Sequence, residues 1–259
     1  MLEVFRLAWF DVKQELKPPV WIALQWVTFS VQIFIYAALI TYLVNTSVIT
    51  NYQQFYAVGF VVILTFDVAS HTGRQFVEHA HEGRLPYLLS LPISRLKLFL
   101  SIAIQGGLEL SLMLMVPFIV VLLLIGNLTA ISIGGALATL FTLGFGVAGL
   151  MLGLSFIAFK SSDLYSAIVT GLSAIVVRFS TVLYPLTVLA SSQQPAYASA
   201  ATFSPLTYGA DLTRLFLGFN PSLLLNPTVA VTVLIALAVA TLGLGTILLQ
   251  HLVEGVKSG

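Results

Sequence analysis

Ionisable residues interrupt the apolar stretches of this chain, where an isolated charge is costly. Asp67 and Glu109 each lie inside an apolar run, and a further run holds Asp163 at its entrance and Arg178 in its interior. A charged side chain at the centre of a bilayer costs about 2.5–3.5 kcal/mol on insertion scales, so it needs a partner, water or a function. These residues are therefore the first candidates for a site.

Glu109 and Arg178 could compensate each other. Glu109 follows Lys97 by 12 residues, about 18 Å along a helix, and Arg178 precedes Pro185 by seven residues. Both then lie within the membrane, and we hypothesise that they pair, directly or through water, to brace the helix bundle or line a substrate path. Separate contacts with backbone and water are the alternative. Asp67, near the end of its run, is expected to have a structural role.

Other chemistry finds no support in the residue types. The chain has no cysteine, no Walker A phosphate loop, no His-Glu-x-x-His and no Gly-x-Ser-x-Gly. His79 and His81, two residues apart, would point to different faces of a helix, so we predict no metal site. The net charge of +1 suggests no nucleic-acid partner. We therefore predict no catalytic residues, no cofactor in this chain and no enzymatic activity.

The elements that must position these residues are membrane helices. The chain is 58% apolar and only 8% charged, with a mean hydropathy of +1.01. Because a span needs about 20 mainly apolar residues, we predict a single all-α polytopic membrane domain over 1–259. An amphipathic interfacial helix is expected over 1–17. The six predicted spans cover 20–44, 54–73, 97–125, 131–158, 163–185 and 227–250.

The distribution of basic residues orients these spans. With six spans, nine of the eleven Lys and Arg residues fall on one side, which the positive-inside rule makes cytoplasmic. Arg214 lies on the opposite side, and Arg178 lies in a span. We therefore predict a multi-pass protein of the plasma or inner membrane with both termini in the cytoplasm. Four glycines of the fourth span favour close helix packing: Gly144, Gly146, Gly149 and Gly153.

The cytoplasmic segment 78–95 combines a polar start with an apolar middle. The residues alone favour a helix resting on the headgroups. However, residues 82–95, EGRLPYLLSLPISR, resemble an element of type 2 ABC-transporter permeases that reads Glu-x-Gly-Thr-x-Glu-x-Leu-x-x-x-Pro-x-Ser-Arg, with Arg84 and Pro86 as departures. In that family the element is the coupling helix, which docks on the ATPase. The resemblance implies this role for Glu82, Gly83, Leu85, Leu88, Leu89, Ser90 and Pro92.

A second similarity to this family lies before the last span. The family has Ser-Gly-x-x-Phe/Tyr-Pro, then Asn-Pro-Leu-Thr-Tyr and a downstream Arg; this chain has STVLYP at 180–185, SPLTY at 204–208, and Arg214. The resemblance implies that segment 186–226 forms short helices that dip into the outer leaflet; an ordinary outer loop is the alternative. The matching residues are Tyr184, Pro185, Pro205, Tyr208 and Arg214.

The resemblance implies the transmembrane subunit of an ATP-driven exporter. Such a subunit works as a homodimer or with a similar second permease subunit, and it binds two copies of a separate ATPase that holds ATP and Mg²⁺. The alternatives from other classes are a secondary carrier that couples transport to an ion or proton through Glu109 or Asp67, and a scaffold protein without transport.

Overall fold

The computed structural model describes residues 2–15, 19–43, 51–83, 90, 94–126, 128–157, 161–185, 195–218 and 226–257. The regular elements within these ranges are α-helices, and none of these residues is in a strand. In chain order they are α1 (Leu2–Glu15), α2 (Pro19–Leu43), α3 (Tyr52–His81), α4 (Arg95–Ile125), α5 (Ala130–Ile157), α6 (Ser162–Arg178), α7 (Pro195–Ala201), α8 (Pro205–Phe216) and α9 (Pro227–Lys257).

Local sequence explains several helix ends. The Ser94 hydroxyl accepts a hydrogen bond from the Lys97 amide at the start of α4, and Ser161 caps α6 through the Leu164 amide. Gly126 ends α4 with a φ of 79°, a conformation that residues with a Cβ rarely adopt. The helices are thus bounded by residue types that are common at such ends.

Helices α3 and α5 form the centre of the bundle. Both pack against each other and against α4 and α8, and α5 also packs against α9. Small residues permit these approaches: a Cβ at Gly149 of α5 would lie 2.7 Å from the Thr241 hydroxyl oxygen of α9. The predicted close packing of the fourth span is present at this position. Helix α2, by contrast, exposes a broad apolar surface suited to lipid contact.

Five described helices are long and apolar enough to cross a membrane: α2, α3, α4, α5 and α9. These agree with five of the six predicted spans. The predicted span 163–185 differs, because α6 ends at Arg178 after 17 residues and residues 179–185 are not helical. Helix α6 is therefore about 26 Å long, somewhat shorter than the roughly 30 Å hydrocarbon core.

The N-terminal helix α1 covers most of the predicted interfacial segment. It packs along α4 and buries Ala8 and Val12. Phe5, Trp9 and Phe10 are more than half exposed on its surface. An apolar surface of this kind on a short helix that also carries Lys13 suits the edge of a membrane.

Candidate functional site

Arg214 of α8 is completely buried at one end of the bundle. Its Nη1 donates to the Thr181 carbonyl at 2.8 Å, and its Nη2 donates to the carbonyls of Val182 at 2.6 Å and Phe55 at 3.2 Å. The guanidinium also lies 3.5 Å from the centre of the Phe55 ring. One side chain thereby ties α8 to the first turn of α3 and to the chain that follows α6.

Asp211 supplies the countercharge for this buried guanidinium. Its Oδ1 lies 3.5 Å from Arg214 Nη1 and accepts a 3.1 Å hydrogen bond from the Thr181 hydroxyl. Burial lowers the pKa of Arg214 to about 10, although the Asp211 carboxylate opposes this shift. The guanidinium therefore stays charged at neutral pH. Burial likewise raises the pKa of Asp211, and Arg214 acts against that rise.

Small residues and hydroxyl groups near Arg214 allow the surrounding elements to approach its side chain closely. A Cβ at Gly59 of α3 would overlap the Val182 carbonyl oxygen and lie 2.8 Å from Arg214 Nη2. Gly59 is therefore required for this approach of α3 to the guanidinium. The Thr207 hydroxyl donates to the Ala201 carbonyl and accepts from the Thr181 amide, which ties α7 and α8 to the same point. We call Arg214, Asp211, Thr181, Phe55 and Gly59 the arginine cluster.

The other predicted outer residues surround this cluster without contacting the guanidinium. Pro205 begins α8, and the Tyr208 hydroxyl donates to the Thr202 carbonyl at 2.7 Å. Pro185 is buried, whereas the Tyr184 side chain is 51% exposed. The short helices α7 and α8 lie within the predicted outer segment 186–226, whose residues 186–194 and 219–225 lie outside the described ranges.

Glu109 and Arg178 are not brought together. Glu109 is 7% exposed on α4, where its two carboxylate oxygens accept hydrogen bonds from Gln75 Nε2 at 3.2 Å and Gln105 Nε2 at 3.3 Å. Arg178 lies instead at the exposed end of α6. The Glu109 carboxylate is thus hydrogen-bonded by side-chain amides on α3 and α4. These contacts take the place of the direct pair with Arg178 that was predicted from the depth of both residues.

Arg178 shares a recess between α3 and α6 with Asp67. The recess has a volume of about 450 Å³, and Ser70, Thr170 and Ser173 also line it. Below it, the Tyr165 hydroxyl donates to the Ser70 carbonyl at 2.8 Å and fixes the spacing of the two helices. The recess therefore joins a carboxylate, a guanidinium and hydroxyl groups on one open face of the bundle.

The predicted coupling segment is described only in part. Residues 78–81 belong to the last turn of α3, which is longer than the predicted second span, and Ser94 and Arg95 begin α4. Glu82 and Gly83 are exposed at the end of α3, and Ser90 is exposed. Leu85, Leu88, Leu89 and Pro92 lie outside the described residues.

Sequence reasoning missed several members of these sites. The spacing of Asp211 three residues before Arg214 is a signal for an ion pair on one helix face, and it could have been used. Phe55 and Gly59 had no such signal, because they are separated from Arg214 by more than 150 residues and meet it only in the folded chain. Thr170 and Ser173 were overlooked because single hydroxyl residues are common in membrane helices. Comparison with known proteins adds nothing further: the sequence matches no family model and no curated protein.

Proposed function

We propose that this chain is the transmembrane permease subunit of an ATP-driven ABC exporter. It forms a substrate path as a dimer, and it couples to two copies of a separate ATPase subunit. The proposal rests on the resemblance of residues 82–95 and 180–214 to type 2 ABC permeases, together with the all-helical architecture with membrane-length helices.

The observation that best supports this proposal is the position of the two motif regions at opposite ends of α3. Arg214, at the end of the second motif region, contacts Phe55 in the first turn of this helix. Glu82, at the start of the first motif region, follows its last turn. Phe55 and Glu82 are 27 positions apart, which corresponds to about 40 Å of helix, enough to cross a bilayer. An exporter needs its ATPase contact and its outer gate on opposite membrane faces, and this arrangement supplies that separation.

The finer topology in this proposal is six spans with both termini in the cytoplasm. Helix α6, about 26 Å long, would cross most of the hydrocarbon core, and the turns at residues 179–185 lead from its end to the arginine cluster. The chain has no cysteine, so single cysteines can be introduced and labelled from one side. We expect Ser162→Cys to react with an impermeant maleimide only from the cytoplasm and Tyr184→Cys only from outside. Labelling of both from the same side would exclude a crossing by α6.

Co-purification tests the ATPase partner. The ATPase encoded beside this gene, if it carries a Walker A motif, is co-expressed and its recovery with the tagged chain is measured. We expect the double substitution Leu88→Asp and Leu89→Asp to abolish recovery, because it places two charges on the proposed docking surface. The matched control is Leu96→Asp, a 54% exposed leucine just beyond the segment, which is expected to retain binding. Full binding by the double variant would refute the docking assignment.

The second candidate function is a secondary carrier, which the exposed carboxylate of Asp67 favours. In that case the purified chain alone, in proteoliposomes, would accumulate substrate when a proton or cation gradient is applied. Asp67→Asn would abolish this accumulation. Under the permease proposal, transport instead needs the ATPase and ATP, and an ion gradient alone drives none.

A further inference from the structure

One partly exposed face of α6 carries polar residues at helical spacing. Ser166, Thr170 and Ser173 follow each other at intervals of four and three residues, so they share one face. This face lies beside Asp67 and Ser70 of α3, and the residues from Thr170 onward line the recess of about 450 Å³. Such a run of hydroxyl groups beside a carboxylate is unlike the apolar surface that α2 presents.

The two charges of the recess lack partners within the protein. Among the residues that the structure describes, neither the Asp67 carboxylate nor the Arg178 guanidinium makes a hydrogen bond or an ion pair, although both line the recess. The two side chains therefore face the same open space without closing on each other. In a span, charges of this kind are expected to face the bundle interior or a water-filled cavity that serves as a pathway.

The charges of the arginine cluster, unlike those of the recess, are paired within the part of the protein that the structure describes. There the guanidinium is wholly buried and donates to three carbonyl oxygens beside its own carboxylate. That arrangement holds α8 to α3 and serves the architecture of the bundle. At the recess, opposite charges are exposed and unpaired among the described residues, and the recess they line has a volume within the range of small-molecule sites.

We propose that the recess between α3 and α6 binds a zwitterionic ligand, with the cationic group of the ligand at Asp67 and its anionic group at Arg178. The Ser173 hydroxyl supplies a further hydrogen bond, and Ile63, Val169 and Val177 contact its apolar part. A ligand of either single charge would leave one protein charge uncompensated, whereas a zwitterion satisfies both. The shared chemistry fits a zwitterionic lipid headgroup or a soluble zwitterion such as a dipeptide. The inference rests on the proposed function only in treating this ligand as a transport substrate.

Binding is measured on the purified full-length chain without any ATPase. Native mass spectrometry compares palmitoyl-oleoyl phosphatidylcholine, which is zwitterionic, with phosphatidylglycerol of the same acyl chains, which is anionic. Calorimetric titration with dialanine is the soluble arm. We expect the native chain to bind phosphatidylcholine or dialanine, with preference over the anionic lipid. Asp67→Asn and Arg178→Gln should each weaken that binding roughly tenfold, because each removes one charge-assisted contact.

Two exposed charges outside the recess provide matched controls. Asp163→Asn removes a carboxylate from α6 and Arg74→Gln removes a guanidinium from α3, and both variants should bind as the native chain does. Ser173→Ala keeps both charges and should weaken binding by roughly fivefold, which gives a test that does not depend on the folding of the charge variants. If phosphatidylcholine binding is weakened by the recess variants and not by the controls, the ligand is a lipid headgroup. If dialanine binding shows this pattern, the ligand is a soluble zwitterion.

Three results would overturn the assignment. The first is equal binding of the two lipids together with no binding of dialanine. The second is native affinity in both charge variants. The third is efficient crosslinking of Asp67→Cys in one copy to Arg178→Cys in a second copy, which would show that a partner subunit fills the recess. A failure to recover an ATPase would refute the proposed function and leave these binding results unchanged.

Discussion

Replacing Arg214 by glutamine removes the guanidinium that joins α8 to α3. The variant loses donors to three backbone carbonyls, those of Thr181, Val182 and Phe55. It also leaves the Asp211 carboxylate, 4% exposed, without its countercharge. Glutamine is too short to reach all three acceptors, so the cluster cannot be restored by a small rearrangement.

The expected loss of stability is large. Removing one member of a buried ion pair costs about 3–5 kcal/mol, because the remaining charge stays buried. Each of the three hydrogen bonds from the charged group has a net value of about 1.5–3 kcal/mol, but these terms overlap with the first and are not added to it. We therefore expect a decrease of about 4 kcal/mol in the free energy of unfolding. Arg214→Lys keeps the charge and should lose less.

The assay is reversible unfolding of the purified chain in mixed micelles, followed by circular dichroism. Arg74→Gln is the control, because Arg74 also pairs with a carboxylate on its own helix, that of Glu78 at 2.8 Å, but its side chain is 52% exposed. An exposed pair of this kind contributes about 0–1 kcal/mol. A loss for Arg214→Gln no larger than that of the control would refute the structural role of the arginine cluster. Arg214→Met combined with Asp211→Leu should be less harmful than Arg214→Gln, since no buried carboxylate remains unpaired.

The remaining predictions concern packing and pairing within the bundle. Gly59→Ala should destabilise the chain by about 2–4 kcal/mol because its Cβ overlaps the Val182 carbonyl, whereas Gly134→Ala, which meets open space, should be neutral or slightly stabilising in the same unfolding assay. Exchanging Glu109 for Arg and Arg178 for Glu together should give no rescue relative to the single changes; the double-mutant coupling energy should stay within about 0.5 kcal/mol, and a larger favourable value would restore the pairing hypothesis. Tyr165→Phe should cost about 1 kcal/mol by removing the hydrogen bond to the Ser70 carbonyl, and an unchanged midpoint of unfolding would contradict that role.

The positions of the long helices could be predicted because their signal is local. Apolar length alone placed α2, α4 and α5 to within a few residues of their bounds in the structure. The second span was predicted to end at 73, and helix α3 continues to His81. Polar residues there indicated a membrane boundary, but a helix can extend beyond the hydrocarbon core into water. Hydropathy indicates which residues lie within the membrane, but it does not indicate where a helix ends.

The contacts of the charged residues could not be predicted in the same way. Depth along the chain placed Glu109 and Arg178 in the membrane, and two opposite charges then suggested a pair. Which neighbours a side chain meets depends on the rotation of each helix about its axis, and hydropathy of an almost wholly apolar helix leaves that rotation undetermined. Gln75 and Gln105, which are the partners of Glu109 in the structure, had no distinguishing signal in the sequence.

Helix α3 connects the sites that the proposed function requires. Its 30 residues extend for about 45 Å, from the arginine cluster at Phe55 and Gly59, past Asp67 in the recess, to Glu82 at the start of the proposed coupling segment. A helix packed on both α4 and α5 moves as a rigid body more readily than it bends. Under the proposed function, Arg214 holds the Phe55 end of α3 on the outer side, and a displacement of its Glu82 end by an ATPase would tilt the helix about that point. Asp67, 12 residues from Phe55, would then move relative to Arg178 on α6, and the recess would change shape without any change at its outer anchor.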